Sequence, residues 1–476
     1  MISIDRRRHE KWLTYGLLKV ARISPYLQVL MLAGLAALLV FPLFQSAPRY
    51  HWQTPWNNSQ LFSEWVLWGI WYPGTLLSVL LVGRFWCGML CPLGAMSEWF
   101  SRLGVSCSFP KFLRHPLATA LSFTWVTIWA QTLDVRDDLH SALLLFSIIF
   151  ALAMGCGLMF GSRVGQKRRV WCRHLCPIGS VLGVFSRLGI LNVATKKTSL
   201  SAGELVEGYR EQGLCPTSIE LRSKQTSRHC IKCARCVKPH SRGGLHIELR
   251  DFGHEIVAID HHAPCLTELL FIFLAPGLAV AGFVWSSSPL FVGFRQSLGH
   301  FALAHGWYGW LQQGPMWLMD QNSALGQHYL WLDFISIGAF MIGMALLLAL
   351  PLAGLSVLGG MLFQRIKRKP WLTCISEFGY QFAPLAMLCI LLGLGSTLFG
   401  SLKEAMGQSV MAIELGLLGL ALLFNLSSAY RYLKVNSLPL KEALLCALLW
   451  VCGGVLLIMA TLWSIFPGWS FVWIGL

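Results

Sequence analysis

The chain of 476 residues is 55% hydrophobic and only 13% charged, whereas soluble globular proteins carry about a quarter charged residues. Together with 12% aromatics, this excludes disorder, and apolar runs of spanning length exclude an ordinary soluble enzyme. Lys and Arg outnumber Asp and Glu by 38 to 22, a formal charge of +16, but the basic residues gather at the ends of apolar runs without any nucleic-acid motif, so the expected partner is a lipid bilayer and not nucleic acid.

The first residues, Met1 to Lys19, are basic (RRRHEKW) and no small-residue cleavage site follows the first apolar run. That run is therefore expected to be a retained span with a cytoplasmic N-terminus. Hydropathy predicts nine spans, roughly 27–47, 63–86, 116–134, 141–162, 267–286, 329–352, 372–400, 408–430 and 442–466. Alternate loops are rich in Lys and Arg: Arg102, Lys111 and Arg114; then Arg163, Lys167, Arg168, Arg169, Arg173 and Arg187; then Arg365, Lys367, Arg368 and Lys369; then Arg431, Lys434 and Lys441. One orientation puts all four on the cytoplasmic side, together with the polar segment 191–266. The segment 287–328, rich in Trp, Gly and His, then lies on the outer face as an interfacial piece, with His300, His305 and His328 as its histidines.

Trp86 to Gly104 reads WCGMLCPLGAMSEWFSRLG and Trp171 to Gly189 reads WCRHLCPIGSVLGVFSRLG; they align without a gap at an offset of 85, with 11 of 19 positions identical. The N-terminal part, 1–190, is thus a duplicated unit of two helices plus a cysteine loop, both copies in one membrane orientation. Each copy holds Cys-x3-Cys-Pro: Cys87 and Cys91 before Pro92, Cys172 and Cys176 before Pro177. Proline disfavours the α conformation in the residue before it and suits the first position of a helix. The spacing therefore predicts a break at the second cysteine, then short helices over 92–103 and 177–188 whose N-termini point at the thiols. Two loops of two thiolates supply the ligand set of one iron–sulfur cluster. The alternatives are disulfides, which the reducing side of the membrane disfavours, a four-cysteine zinc site, and cysteines that merely pack.

Cys230, Cys233 and Cys236 form Cys-x2-Cys-x2-Cys, the first three ligands of a bacterial ferredoxin loop. The Cys-Pro expected next is replaced by Pro239-His240. Cys215, followed by Pro216, is the preferred fourth ligand, with His240 and Cys265 as alternatives. A Cys-Pro thiol can serve the neighbouring cluster in ferredoxins, so the two sets could be crossed. The remaining cysteines, Cys107, Cys156, Cys374, Cys389, Cys446 and Cys452, stand alone and are mostly expected to pack as small buried hydrophobes.

These motifs resemble those of membrane-bound polyferredoxins, the NapH/NosR-like proteins and the related copper-oxidase assembly ferredoxins; the likeness covers about residues 60–250. It implies electron passage between the quinone pool or cytoplasm and periplasmic acceptors. The expectation is an all-α polytopic membrane protein of the bacterial inner membrane, with about nine transmembrane helices and a small ferredoxin-like cytoplasmic iron–sulfur segment (191–266), followed by a C-terminal membrane domain of about five helices (267–476). Two [4Fe-4S] clusters would sit on its cytoplasmic side, with a quinone as a further candidate cofactor and a periplasmic reductase or cytochrome as candidate partner. The cysteines would be ligands, with no catalytic residue assigned and enzyme status open. One rival is an assembly or redox-sensing protein, for instance one reducing copper for oxidase maturation. The other is a transporter with structural clusters, for which Glu414 and Asp333 are the intramembrane acids to watch.

Overall fold

In the computed structural model, residues 2–45, 53–161, 168–195, 215–219, 224–237, 245–321, 328–407 and 409–465 are described. Helices dominate: α1 (Ile2–Val40), α2 (Ser59–Val82), α3 (Pro92–Ser101), α4 (Pro116–Thr132), α5 (Leu139–Phe160), α6 (Pro177–Phe185), α7 (Leu266–Val284), α8 (Pro289–Ala304), α9 (Trp331–Lys367), α10 (Trp371–Leu394), α11 (Ser409–Val435) and α12 (Leu440–Ile465). Among the described residues eight helices are long and apolar enough to cross a membrane, against the nine expected. The difference is α4. It covers the predicted 116–134 span but has 17 residues, about 26 Å at 1.5 Å per residue, just under a typical hydrocarbon thickness. The predicted start of the first span also moves, because α1 runs continuously from Ile2 through Pro25.

The chain forms two compact units. Residues 1–37, 75–122 and 148–263 make the first; residues 38–74, 123–147 and 264–476 make the second.

In the first unit, β1 (Leu191–Thr195) and β2 (Leu245–Leu249) pair antiparallel, Leu191 opposite Leu249 and Val193 opposite Ile247. Period-two alternation turns Val193, Leu245 and Ile247 inward, where they pack with Leu17, Met89, Ala234 and Val237. A second apolar cluster, Ala153, Cys156, Trp171 and Cys172, backs the second cysteine loop. Glu255 anchors the segment that follows β2. It pairs with Arg250, lies 3.8 Å from Arg187 and accepts the Ser227 N–H at 3.0 Å. Burial opposes its ionisation, yet Arg250 and Arg187 hold its carboxyl down to about 2.

In the second unit, α7 packs along α9 through small residues. A side chain at Gly277 would lie 2.7 Å from Ala345 Cα, the close backbone approach that membrane helix pairs favour. Both acids of the transporter rival carry basic partners here: Glu414 meets Lys403 at 3.0 Å and Asp333 meets Arg295 at 2.5 Å. The expected interfacial piece contains α8, whose 16 residues are too few to span and whose Phe301, in the last turn, packs with the rings of His305 and Trp307, with Trp310 beyond them.

Candidate metal centre

Each cysteine loop begins where a helix is forced to stop. After α2, Gly83 turns with φ of +79° and leads through Arg84 into a short helix, Phe85–Met89. Cys91 is extended (φ −61°, ψ 115°) and Pro92 opens α3; Cys176 is extended (φ −60°, ψ 114°) and Pro177 opens α6. The predicted breaks stand, with helices ending at Ser101 and Phe185. The sulfur of each extended cysteine accepts an N–H from the first helical turn, Gly94 to Cys91 at 3.4 Å and Gly179 to Cys176 at 3.3 Å. Such donors favour a charged sulfur.

The four loop thiols influence one another electrostatically. Burial, then Cys87 and Cys172, push the Cys91 thiol up to about 12. Burial raises Cys172 to about 11, with Arg169 opposing, and burial with Cys172, Cys91 and Cys87 lifts Cys176 well above the ordinary range. Four thiols in one locale, Cys87 and Cys172 buried and Cys91 and Cys176 half-buried, repel as thiolates, a repulsion that a cationic centre would offset. Room for such a centre is kept by glycines: a side chain at Gly94 would lie 3.4 Å from Cys172 Sγ, and one at Gly179 would lie 3.2 Å from Cys176 Sγ.

Two arginines cross between the copies. Arg169, two residues before Trp171, donates to the Cys87 carbonyl at 2.5 Å; Arg84, two residues before Trp86, donates to the Cys172 carbonyl at 3.2 Å. Arg169 also donates to Glu98 at 2.7 Å, and Glu98 accepts from Arg235 at 2.6 Å. The second copy has Gly183 where the first has Glu98, and there Arg84 donates instead to the Arg228 carbonyl at 3.0 Å.

The Cys230–Cys236 loop is bent by left-handed residues, Lys232 (φ 53°) and Ala234 (φ 55°). Backbone N–H groups of Lys232 and Arg235 are thereby turned onto the sulfurs of Cys230 and Cys233. Burial opposes ionisation of Cys230, but Lys224 and Lys232 bring it below its ordinary value; burial raises Cys233 to about 11. Cys215, Cys230, Cys233 and Cys236 all line one small cavity of about 20 Å³. Burial and the other three cysteines raise Cys236. The loop docks on the first repeat at Gly88, where a side chain would lie 2.1 Å from the Ile231 carbonyl oxygen.

All eight grouped cysteines therefore fall in the first unit, as one set of four and one cavity of four. Cys265 belongs to the second unit, where its sulfur bonds the Thr267 hydroxyl at 3.0 Å; His240 lies outside the described residues. Among the described residues no three Cys, His, Asp or Glu side chains converge on a position for a single ion. Of the lone cysteines, Cys156, Cys374, Cys389 and Cys446 are buried as expected, while Cys107 and Cys452 are exposed. Sequence reasoning missed the arginines. Arg169 and Arg187, counted above as loop charges, are wholly buried. The available signal was the repeat itself, since Arg84 and Arg169 stand at the same offset of 85.

A family described as a 4Fe-4S binding domain matches residues 64–110 and 141–193, one match over each cysteine loop. The chain is 25% identical to the ferredoxin-type protein NapH of Escherichia coli over 34% of its own length and 61% of NapH. It is 26% identical to protein NirI of Paracoccus denitrificans and 23% identical to the regulatory protein NosR of Pseudomonas aeruginosa, over 39% of this chain and 28% and 27% of theirs. The chain thus spans less than two thirds of each of these relatives. No solved structure matches it.

Proposed function

By its duplicated 4Fe-4S segments this chain is a NapH/NosR-like ferredoxin-type membrane protein, and we propose that it passes electrons through two [4Fe-4S] clusters to or from a partner in or beyond the membrane. The observation that supports this reading is that all eight grouped cysteines lie in one folded unit, with Cys215, Cys230, Cys233 and Cys236 lining one cavity. Cys87, Cys91, Cys172 and Cys176 would hold one cluster, and Cys215, Cys230, Cys233 and Cys236 the other. Bound there, such clusters supply reversible one-electron steps.

The chain's own part is to hold the thiols, keep water away and set the local charge. N–H groups at the starts of α3 and α6 and in the 230–236 loop offset thiolate charge. Arg169 acts on both sets, bonding the Cys87 backbone and exerting its charge on Cys172 and Cys233. A quinone or cytoplasmic protein is the proposed partner on one side and a periplasmic reductase or cytochrome on the other. The same clusters would serve assembly or sensing, and partner identity separates the two uses.

Iron and acid-labile sulfide assays of anaerobically purified protein test the proposal, with about eight of each expected per chain. Zinc without labile sulfide would overturn it. The inner-membrane orientation places the exposed Cys107 in the cytoplasm, so it should resist an impermeant thiol reagent in intact cells; ready labelling would invert the topology.

A further inference from the structure

Glu98 belongs to the first cysteine repeat, and the second repeat has Gly183 at the matching position. It is buried and belongs to neither thiol set. It lies between two guanidinium groups: its Oε2 accepts from Arg169 Nε at 2.7 Å and its Oε1 from Arg235 Nη2 at 2.6 Å. The two arginines lead to different cysteines. The side chain of Arg169 donates to the Cys87 carbonyl, while Arg235 stands in the chain between Cys233 and Cys236. A continuous run of contacts therefore joins the Cys87 carbonyl, Arg169, Glu98 and Arg235. Each guanidinium also keeps a buried donor without a hydrogen-bond partner, Arg169 Nη2 and Arg235 Nη1. Buried polar groups are normally bonded, so an ion pair made for stability alone would not leave two such donors beside the cysteine sites; sulfur atoms of a bound cluster are acceptors that suit them. The charges are felt at both sets. At Cys172 burial opposes ionisation, Arg169 favours it and Glu98 opposes it; at Cys233 burial opposes it while Arg235 and Arg169 favour it.

We infer that Glu98 is a positioning residue that couples the reduction potentials of the two cluster sites, holding Arg169 to one and Arg235 to the other and setting the net charge they present. The inference rests on the two-cluster reading proposed above. Cluster potentials follow local charge and hydrogen bonds to sulfur, and this bridge supplies both. Two guanidinium groups against one carboxylate leave it net positive, which favours the reduced, more negative form at either site. The bridge is one-sided, because Arg84, the counterpart of Arg169, meets the neutral Arg228 carbonyl where Arg169 meets Glu98. The charge balance around the shared site is thus tied to the 230–236 loop through the first repeat.

The test is an EPR-monitored potentiometric titration of the full-length holoprotein, with iron and labile sulfide quantified first and the signals assigned to their sites by Cys91→Ala and Cys230→Ala. Glu98→Gln removes a negative charge, and both midpoint potentials should rise by about 59 mV or more, a tenfold change in a one-electron equilibrium. Arg235→Gln removes a positive charge, and both should fall, although the arginine belongs to one loop only. Glu98→Asp keeps the charge and should bring the potentials back towards those of the unaltered protein. Loosened packing alone would not give shifts of opposite sign. Should Glu98→Gln lose iron, Arg235→Gln decides, since that side chain is 28% exposed and its loss is the milder change. A fall at both sites then supports the bridge, and a fall confined to the Cys230 signal refutes it. Full iron and sulfide with unchanged potentials in Glu98→Gln overturns the inference and leaves the two-cluster reading standing, whereas an unaltered protein without labile sulfide overturns both.

Discussion

Arg169 of the second cysteine repeat donates to the backbone carbonyl of Cys87 in the first, at 2.5 Å, while its Nε holds Glu98 at 2.7 Å. The counterpart bond from Arg84 to Cys172 runs the other way, at 3.2 Å. The two copies are therefore clasped by side chains as well as by the centre their thiols would share. Arg169→Gln should remove the clasp and leave the buried Glu98 with Arg235 alone. Breaking a buried pair of this kind costs about 3–5 kcal/mol, so thermal unfolding should occur at clearly lower temperature and iron content should fall. Unchanged melting and full iron would contradict this role.

Gly88 is where the 230–236 loop rests on the first repeat, and the obstacle to a side chain there is backbone, the Ile231 carbonyl. Gly88→Ala should push that loop away and broaden or remove the EPR signal of the cluster proposed for Cys230, Cys233 and Cys236. Gly155→Ala, in α5 with open space around it, is the control and should leave the spectrum as it was. Equal spectra from the two variants would count against the docking.

Cys215 shares a cavity with the three motif cysteines, whereas Cys265 bonds Thr267 in the other unit. Cys215→Ala should abolish or convert one cluster, and Cys265→Ala should leave both. A cluster that survives loss of Cys215 but changes in His240→Ala would transfer the fourth position to the histidine.

Glu255 gives the fold an acid-sensitive point. Arg250 and Arg187 hold its folded pKa down to about 2 from an ordinary value of 4.5, so the unfolded chain takes up its proton first as pH falls. Its stabilising effect is present above about pH 4.5 and lost as pH falls towards 2, on the order of 3 kcal/mol at 1.36 per unit. Melting temperatures of the unaltered protein and Glu255→Gln should converge as pH is lowered through that window. A gap independent of pH would show that Glu255 acts by packing alone.

The sequence showed the cysteines because cluster ligation fixes both residue type and spacing, and it showed the breaks at Cys91 and Cys176 because proline limits the residue before it. Eight of the nine expected spans are helices of crossing length, since mean apolarity over about 20 residues is a strong signal. What stayed hidden depends on tertiary contact. Arg84, Arg169 and Glu98 look like loop charges until the copies face each other, and a charge count for topology cannot separate a solvated arginine from a buried one. In the sequence only the Cys-Pro context sets Cys215 ahead of Cys265; their membership of different units emerges from the fold.

Joint ligation of one cluster by the two repeats is the claim on which the rest depends, and it makes a non-additive demand. Cys91→Ala, Cys176→Ala and the double variant should be purified anaerobically and compared by EPR with quantified iron. Each single variant should abolish the same signal and about four iron atoms per chain, and the double variant should lose nothing further. Two separable signals, each lost in one single variant and both lost together in the double, would mean one metal site per repeat and would contradict the shared centre.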